Sequence, residues 1–249
     1  MGIVLPLDKY ELERYSRQLP LIGVERQEKL KSSTVLIVGA GGLGSVISVY
    51  LTYIGVGRVI IVDDGIVELN NLNRQIIYSD RDVNEPKAVV ACRKLREANP
   101  RVVIDCYGER FDERSGDRLV KEADVVIDAL DNWRTRLILN SLCIRNGKPF
   151  IHGGVEGWHG QVTTIIPGQT PCLNCLFVGR KVVDRESAIP VIAFTPGIIG
   201  LIEATEAVKL LIQSGELLTN KLLLVDLYTM EFKTVNISRN PKCPVCSRA

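Results

Sequence analysis

Short apolar runs alternate with longer helical patterns through the first half of the chain. Thr34–Val38 reads as a buried strand, followed by a glycine cluster and an apolar helix through about Thr52. Arg58–Val62 repeats the strand pattern. A helix is predicted over Pro86–Ala98, because proline suits a first turn and Asn99-Pro100 stops the helix. Strands are predicted at Val102–Tyr107 and Asp124–Asp128, then a helix over Trp133–Asn146 and a strand at Phe150–His152. Short apolar strands alternating with helices predict a parallel sheet covered on both faces.

Beyond residue 153 the grammar changes. Gly160–Ile166 alternates like a half-exposed strand, and Leu222–Asp226 with Glu231–Asn236 resembles an antiparallel hairpin. Thr195-Pro196-Gly197 opens a helix running to about Ser214, with the threonine as cap and the proline at the first position. Val178–Ala193 has no clear period and reads as a mobile loop. One continuous domain over 1–249 is expected, with a nucleotide-binding half (1–153) and a half shaping the acceptor side (154–249). The fold class is α/β, a Rossmann-like doubly wound sheet extended by antiparallel strands.

Composition adds limits rather than direction. The chain has 249 residues, enough to bury a full core, with 46% hydrophobic and 24% charged residues. A net charge of +2 makes no electrostatic case for nucleic acid or a membrane surface. There is no apolar run of membrane-spanning length, and the first residues are charged too early for a signal peptide, so a cytoplasmic location is expected.

Candidate chemistry begins at Gly39-Ala40-Gly41-Gly42-Leu43-Gly44, between a strand and a helix. Glycines there permit a tight turn and bring backbone amides to a phosphate at the helix start. Asp63 ends the next strand, 19 residues beyond Gly44, where an acid would hold ribose hydroxyls. This fingerprint alone suits NAD as well as ATP. Asn71, Arg74 and Lys87 follow, and Asp128 to Asn132 closes the fourth strand. In a doubly wound sheet such groups converge outside the carboxyl ends of the strands. Cations and carboxylates around a nucleotide point to phosphate chemistry, with an aspartate for Mg²⁺. Singly, Arg74 and Lys87 read equally well as solvated charges. Asp131 competes as a helix N-cap, with Asp128 as the alternative strand-end carboxylate.

Of seven cysteines, Cys172, Cys175, Cys243 and Cys246 form two CxxC pairs, the spacing of a closed, structural Zn²⁺ site. Cys92, Cys106 and Cys143 sit beside apolar residues and read as core. His152 and His159 have no partner identifiable in sequence, and Trp133 and Trp158 read as packing residues.

Taken together, Arg14-Tyr15-Ser16-Arg17-Gln18, the glycine turn, Asn71-Leu72-Asn73-Arg74-Gln75, Lys87, Asp131-Asn132 and both CxxC pairs closely resemble the MoeB/ThiF/HesA family, related to the adenylation domains of ubiquitin-activating enzymes. The resemblance implies adenylation of the C-terminal Gly-Gly carboxylate of a small ubiquitin-like sulfur-carrier protein, with ATP and Mg²⁺ as cofactors and pyrophosphate as product. It implies that Asp63 holds the ribose, that Asn71, Arg74 and Lys87 contact the triphosphate, and that Asp131 ligates Mg²⁺. It also implies a homodimer in which Arg17 reaches the neighbouring subunit's site, and a carrier tail threading beneath a crossover loop at 178–193. The sequence runs three residues past Cys246, so a separate sulfur donor protein is expected. Where the family often has Asp-x-Asp at the end of the second strand, this chain has Asp63-Asp64-Gly65. Two further readings are a tRNA-modifying dehydratase of the same superfamily and an NAD-dependent oxidoreductase.

Overall fold

A computed structural model describes residues 6–176 and 189–247. In chain order the elements are α1 (Lys9–Arg14), α2 (Leu19–Ile22), α3 (Val24–Lys31), β1 (Thr34–Val38), α4 (Gly42–Ile54), β2 (Arg58–Val62), α5 (Lys87–Ala98), β3 (Val103–Tyr107), α6 (Glu113–Glu122), β4 (Val125–Asp128), α7 (Trp133–Arg145), β5 (Phe150–Glu156), β6 (His159–Ile165), α8 (Leu173–Leu176), α9 (Phe194–Ile212), β7 (Lys221–Asp226) and β8 (Glu231–Asn236). The strands form one eight-stranded sheet in the order β3-β2-β1-β4-β5-β6-β7-β8. β3, β2, β1, β4 and β5 run parallel, and β6, β7 and β8 continue antiparallel. The expected fold class is the observed one.

Period-two alternation sends each central strand into two cores. Val35 and Ile37 of β1 join Ile47 and Leu51 of α4, Leu95 of α5 and Ile199 of α9 on one face. Leu36 and Val38 join Leu119 of α6 and Leu139 of α7 on the other. Each such side chain contributes about 1.5–3 kcal/mol by leaving water. Doubly covered strands therefore read as continuous apolar runs.

The N-terminal helices were not read from the sequence, yet their motif is built into the core. Tyr15 is buried against Gly55, which has φ 86° and no room for a Cβ beside the Tyr15 ring. Asn99 donates to the Tyr15 hydroxyl (3.0 Å) and to the Thr52 carbonyl (2.8 Å), and Gln18 donates to the Ile54 carbonyl (3.0 Å). Arg17, between these anchors, is exposed.

Several boundaries differ from expectation. β5 runs to Glu156 and turns directly into β6, so the parallel half ends inside a hairpin. α9 starts at Phe194 with Ala193 as cap residue, and Thr195 is not the cap. Its hydroxyl donates instead to the Gly157 carbonyl at 2.8 Å, tying the helix start to the β5–β6 turn. The helix ends at Ile212, not Ser214, because Gln213 adopts φ 52°. α6 was not read at all: only Gly116, Leu119 and Val120 of its ten residues are buried. Of the stretch 178–193 expected as a crossover loop, 178–188 lies outside the described residues. Its far end is held by Gly157, which donates to the Pro190 carbonyl (2.7 Å) and accepts from the Ile192 amide (3.2 Å).

Cys92 and Cys106, read as separate core cysteines, are joined as a disulfide between α5 and β3. Cys143 is a buried core thiol as expected, its pKa pushed up by burial.

Candidate active site

A cleft of about 940 Å³ runs along the carboxyl ends of the parallel strands and onward over β5, β6 and β7. Of the residues singled out in sequence, Gly39, Gly41, Gly42, Asp63, Arg74, Lys87 and Asp131 line it. At its nucleotide-type end the backbone leaves no choice of residue. Gly39 has φ 104°, and a Cβ there would stand 2.4 Å from the Ala129 carbonyl oxygen. A Cβ on Gly44 would stand 1.9 Å from the Gly39 carbonyl oxygen, so Gly44 serves close helix–strand packing and does not line the cleft.

Asp63 fastens this turn. One carboxylate oxygen accepts from the Ala40 amide (2.7 Å) and the other from the Gly65 amide (2.8 Å). Tyr78 supports it from beneath, its hydroxyl donating to the Ala40 carbonyl at 2.9 Å. Burial pushes that phenol well above its usual range, which keeps it a neutral donor. Gly65, where the second acid of Asp-x-Asp would stand, leaves the space into which the Asp63 carboxylate and the Lys87 side chain fit. Asp64, one position earlier, is exposed and lines the cleft.

Arg74 leaves the short 3₁₀ turn Leu69–Asn71 and is oriented by the Asn70 carbonyl (2.8 Å) and the Asn73 side chain (3.0 Å). Asn71 is not brought to the cleft. It is buried, with its carbonyl accepting from the Arg74 amide at 3.1 Å and its side chain closing the turn on Glu68 (3.2 Å). Gln75, which the sequence offers only as the end of the Asn71–Gln75 motif, is buried, lines the cleft beside Gly41, and has a side-chain oxygen without a partner among the described residues. Lys87 opens α5, its amide bonded to the Gly65 carbonyl at 3.0 Å. Arg17 is outside this cleft.

The two strand-end aspartates separate cleanly. Asn132, not Asp131, caps α7, accepting from the Thr135 amide at 2.9 Å. Asp131 is exposed on the cleft wall and so remains available to a ligand. Asp128 is fully buried and committed elsewhere: it accepts from the Leu130 amide (3.1 Å), pairs with Arg136 (2.7 Å) and bonds His152 Nδ1 (2.7 Å). Arg136 in turn donates to the Gly153 carbonyl (3.1 Å) and lies over the Trp133 ring (4.8 Å). His152, assigned no partner in sequence, is thus part of a buried network. Burial pushes its imidazole below its usual range, outweighing the Asp128 hydrogen bond, so the ring is neutral. Glu203 of α9 lies under Gly153, fully buried and without a hydrogen-bond partner among the described residues. Burial raises its carboxyl far above the carboxylate range, so it is held protonated. Nothing in the sequence around Glu203 marks it.

The four CxxC cysteines come together on the other side of α7. All their sulfurs lie within 4.8 Å of one another, with Cys172–Cys243 at 3.6 Å and Cys175–Cys246 at 3.4 Å. Tetrahedral Zn²⁺ with 2.3 Å bonds needs sulfurs about 3.8 Å apart, so the donor set fits. Cys172, Cys243 and Cys246 are buried and Cys175 is partly buried. Asn140 of α7 fastens the first pair, accepting from the Leu173 amide (3.1 Å) and donating to Asn174 (2.9 Å).

Comparison with known proteins follows the same outline. The ThiF family model matches residues 15–245. The chain belongs to the ThiF family. Among curated members, the SAMP-activating enzyme E1 of Haloferax volcanii is 42% identical, covering 98% of this chain and 92% of its own. The sulfur carrier protein adenylyltransferase of Thermus thermophilus is 39% identical, over 96% of this chain and 92% of its own. Among solved structures, E. coli MccB with ATP superposes with a TM-score of 0.85 at 26% identity, covering 96% of this ThiF-family chain and 75% of MccB. None of the described helices is long and apolar enough to cross a membrane.

Proposed function

We propose that this chain uses Mg-ATP to adenylate the C-terminal carboxylate of a small ubiquitin-like carrier protein ending in Gly-Gly, with release of pyrophosphate. The family and its curated members make the chain an adenylyltransferase; what is proposed is the substrate and the work of each residue. One observation carries the reading. The cleft that holds the glycine turn, Arg74, Lys87 and Asp131 continues without a break over Gly154, Gln161 and Leu224, giving a nucleotide end and a polypeptide end.

In this reading the amides of Gly41 and Gly42 meet phosphate oxygens and Asp63 holds the ribose while pinning the turn. Arg74 and Lys87 neutralise the triphosphate, and Asn71 acts through the turn that orients Arg74. Asp131 would hold the Mg²⁺, which supplies charge neutralisation at the phosphates. The carrier's carboxylate is ionised at neutral pH and attacks the α-phosphorus directly, so no general base is required. The protein's contribution is alignment and fixed positive charge. Among the described residues of the cleft lining there is no Ser-His or Cys-His pair, which fits that chemistry.

The exposed aromatics Phe194 and Tyr228, each against Trp158 with ring centroids 5.6 and 5.7 Å away, offer the carrier's folded body an apolar landing, with Met230 and Phe232 also exposed on the β7–β8 hairpin. Arg17, presented outward between the anchored Tyr15 and Gln18, serves the site of a second copy in a homodimer. A separate sulfur donor protein takes the activated carrier onward, and the four cysteines hold Zn²⁺ structurally.

The test is ATP–pyrophosphate exchange with Mg²⁺ and candidate Gly-Gly-terminated carriers. Exchange that needs the carrier, and disappears when its last glycine is removed, is the expected result. Exchange driven by tRNA, or none with any carrier, overturns the proposal.

A further inference from the structure

The buried network beside the cleft fixes the direction of one amide that faces the cleft. Asp128 pairs with His152 across β4 and β5, and Gln161 stands diagonally from His152 on β6, opposite Gly154. His152 Nδ1 is 2.7 Å from the Asp128 carboxylate, which only accepts, so the ring's single proton sits on Nδ1. His152 Nε2 is therefore bare. Its neighbour at 3.1 Å is the Gln161 side-chain nitrogen, which must donate to it. With its nitrogen turned inward, the Gln161 amide presents its oxygen elsewhere. No hydrogen bond to that oxygen is formed among the described residues, and Gln161 lines the cleft.

The floor around it is kept open. Gly154 pairs with Gln161 across the β5–β6 hairpin, and a Cβ there would stand 3.3 Å from the Gln161 nitrogen. Leu224 flanks the other side on β7, apolar and also on the cleft wall. The result is one oriented acceptor flanked by Gly154 and Leu224. It stands three strand spacings from the Gly39 turn, roughly 14 Å at the usual interstrand distance.

An acceptor there selects a donor. The last residues of a Gly-Gly tail carry no side-chain donors; their only ones are backbone N–H groups. Resting on the proposed function above, we infer that the Gln161 side-chain oxygen accepts a hydrogen bond from a backbone N–H of the carrier's terminal Gly-Gly, setting the tail's register along the cleft. His152 and Asp128 are positioning residues that act through Gln161 by denying its amide the opposite orientation. The contact disfavours proline or an N-alkylated residue at that position, which has nothing to give the acceptor.

The test removes the N–H from the substrate and the acceptor from the protein separately and together. Carriers are made by ligation with an ester in place of the amide before the last or the penultimate glycine, which deletes one N–H without adding bulk. Carrier-dependent ATP–pyrophosphate exchange is then compared between the native chain and Gln161→Ala. The expected result is a loss of about tenfold in kcat/KM for one ester carrier with the native chain, a similar loss for Gln161→Ala with the all-amide carrier at unchanged KM for ATP, and less than twofold further loss on combining them. Equal, multiplying losses would overturn the inference, as would a Gln161→Ala defect confined to ATP binding. Gln161→Leu provides the same cycle if the alanine variant does not fold. Absence of exchange with the native chain and all-amide carrier would instead overturn the functional reading on which the inference rests.

Discussion

The two halves of the sheet bury themselves to very different degrees. In β1, β2 and β4 nearly every residue is buried, with helices on both sides. In β8 all six residues are exposed, and β7 has a single buried position. A strand sandwiched between helices has little freedom to change shape, and the groups at its end are held to a fixed geometry. An edge hairpin with Phe232, Val235 and Leu224 partly in water is costly to leave bare and is the kind of surface a partner covers. In the proposed reading, the molecule separates rigid small-molecule chemistry from protein recognition by changing strand direction at one hairpin, β5–β6.

Mutations can break this separation in graded steps. The largest effect is expected from Asp131→Ala: exchange should fall on the order of a thousandfold with an unchanged melting curve, because Asp131 is exposed and caps nothing. A variant that melts early would show the residue to be structural after all. Next, Cys243→Ser should release the bound zinc, measured by atomic absorption, and lower stability by about 3 kcal/mol or more, with hydrogen exchange rising first in β7, β8 and α8. Uniform loosening of β1 and β2 would deny that the two halves respond separately.

A smaller effect is expected from Phe232→Asp on the exposed hairpin. It should raise the KM for the carrier about tenfold and leave the KM for ATP alone. Equal movement of both constants would mean that the hairpin supports the nucleotide end. The smallest concerns Glu203, beneath the point where the halves join. Its folded-state carboxyl is raised above the ordinary value of 4.5, so its contribution is intact below that pH and is lost as pH rises and the unfolded chain ionises. Glu203→Gln should therefore stabilise the protein by about 1–2 kcal/mol at pH 8 and confer no advantage at pH 4 in urea melts. A pH-independent difference would place the carboxyl in a different environment.

These contrasts also explain what could be read from residue order alone. Thr34–Val38 and Arg58–Val62 were plain because complete burial demands unbroken apolar runs, and the Gly39–Gly44 turn because backbone clashes forbid anything else. α6 was invisible because three buried positions in a charged stretch make a faint stripe. The Thr195 cap failed since a tertiary partner, the Gly157 carbonyl, outcompeted the local one. Arg74, Lys87 and Asp131 were recognisable as types at the right spacing. Asp128, His152, Arg136, Gln161 and Glu203 were not, because their meaning lies in contacts across three strands and two helices that no local pattern encodes. The Cys92–Cys106 bond escaped for the same reason: it joins a helix to a strand whose neighbourhood only the folded sheet creates.

The cysteine cluster has one more consequence, for the order of events as the chain is made. β1 to β6 all precede Cys172, whereas Cys243 and Cys246 follow β8. A nascent chain can complete its nucleotide-type pocket while the second sulfur pair is still unsynthesised. In the proposed reading, metal capture is then a closing step that fastens the segment after the late hairpin to the segment after β6.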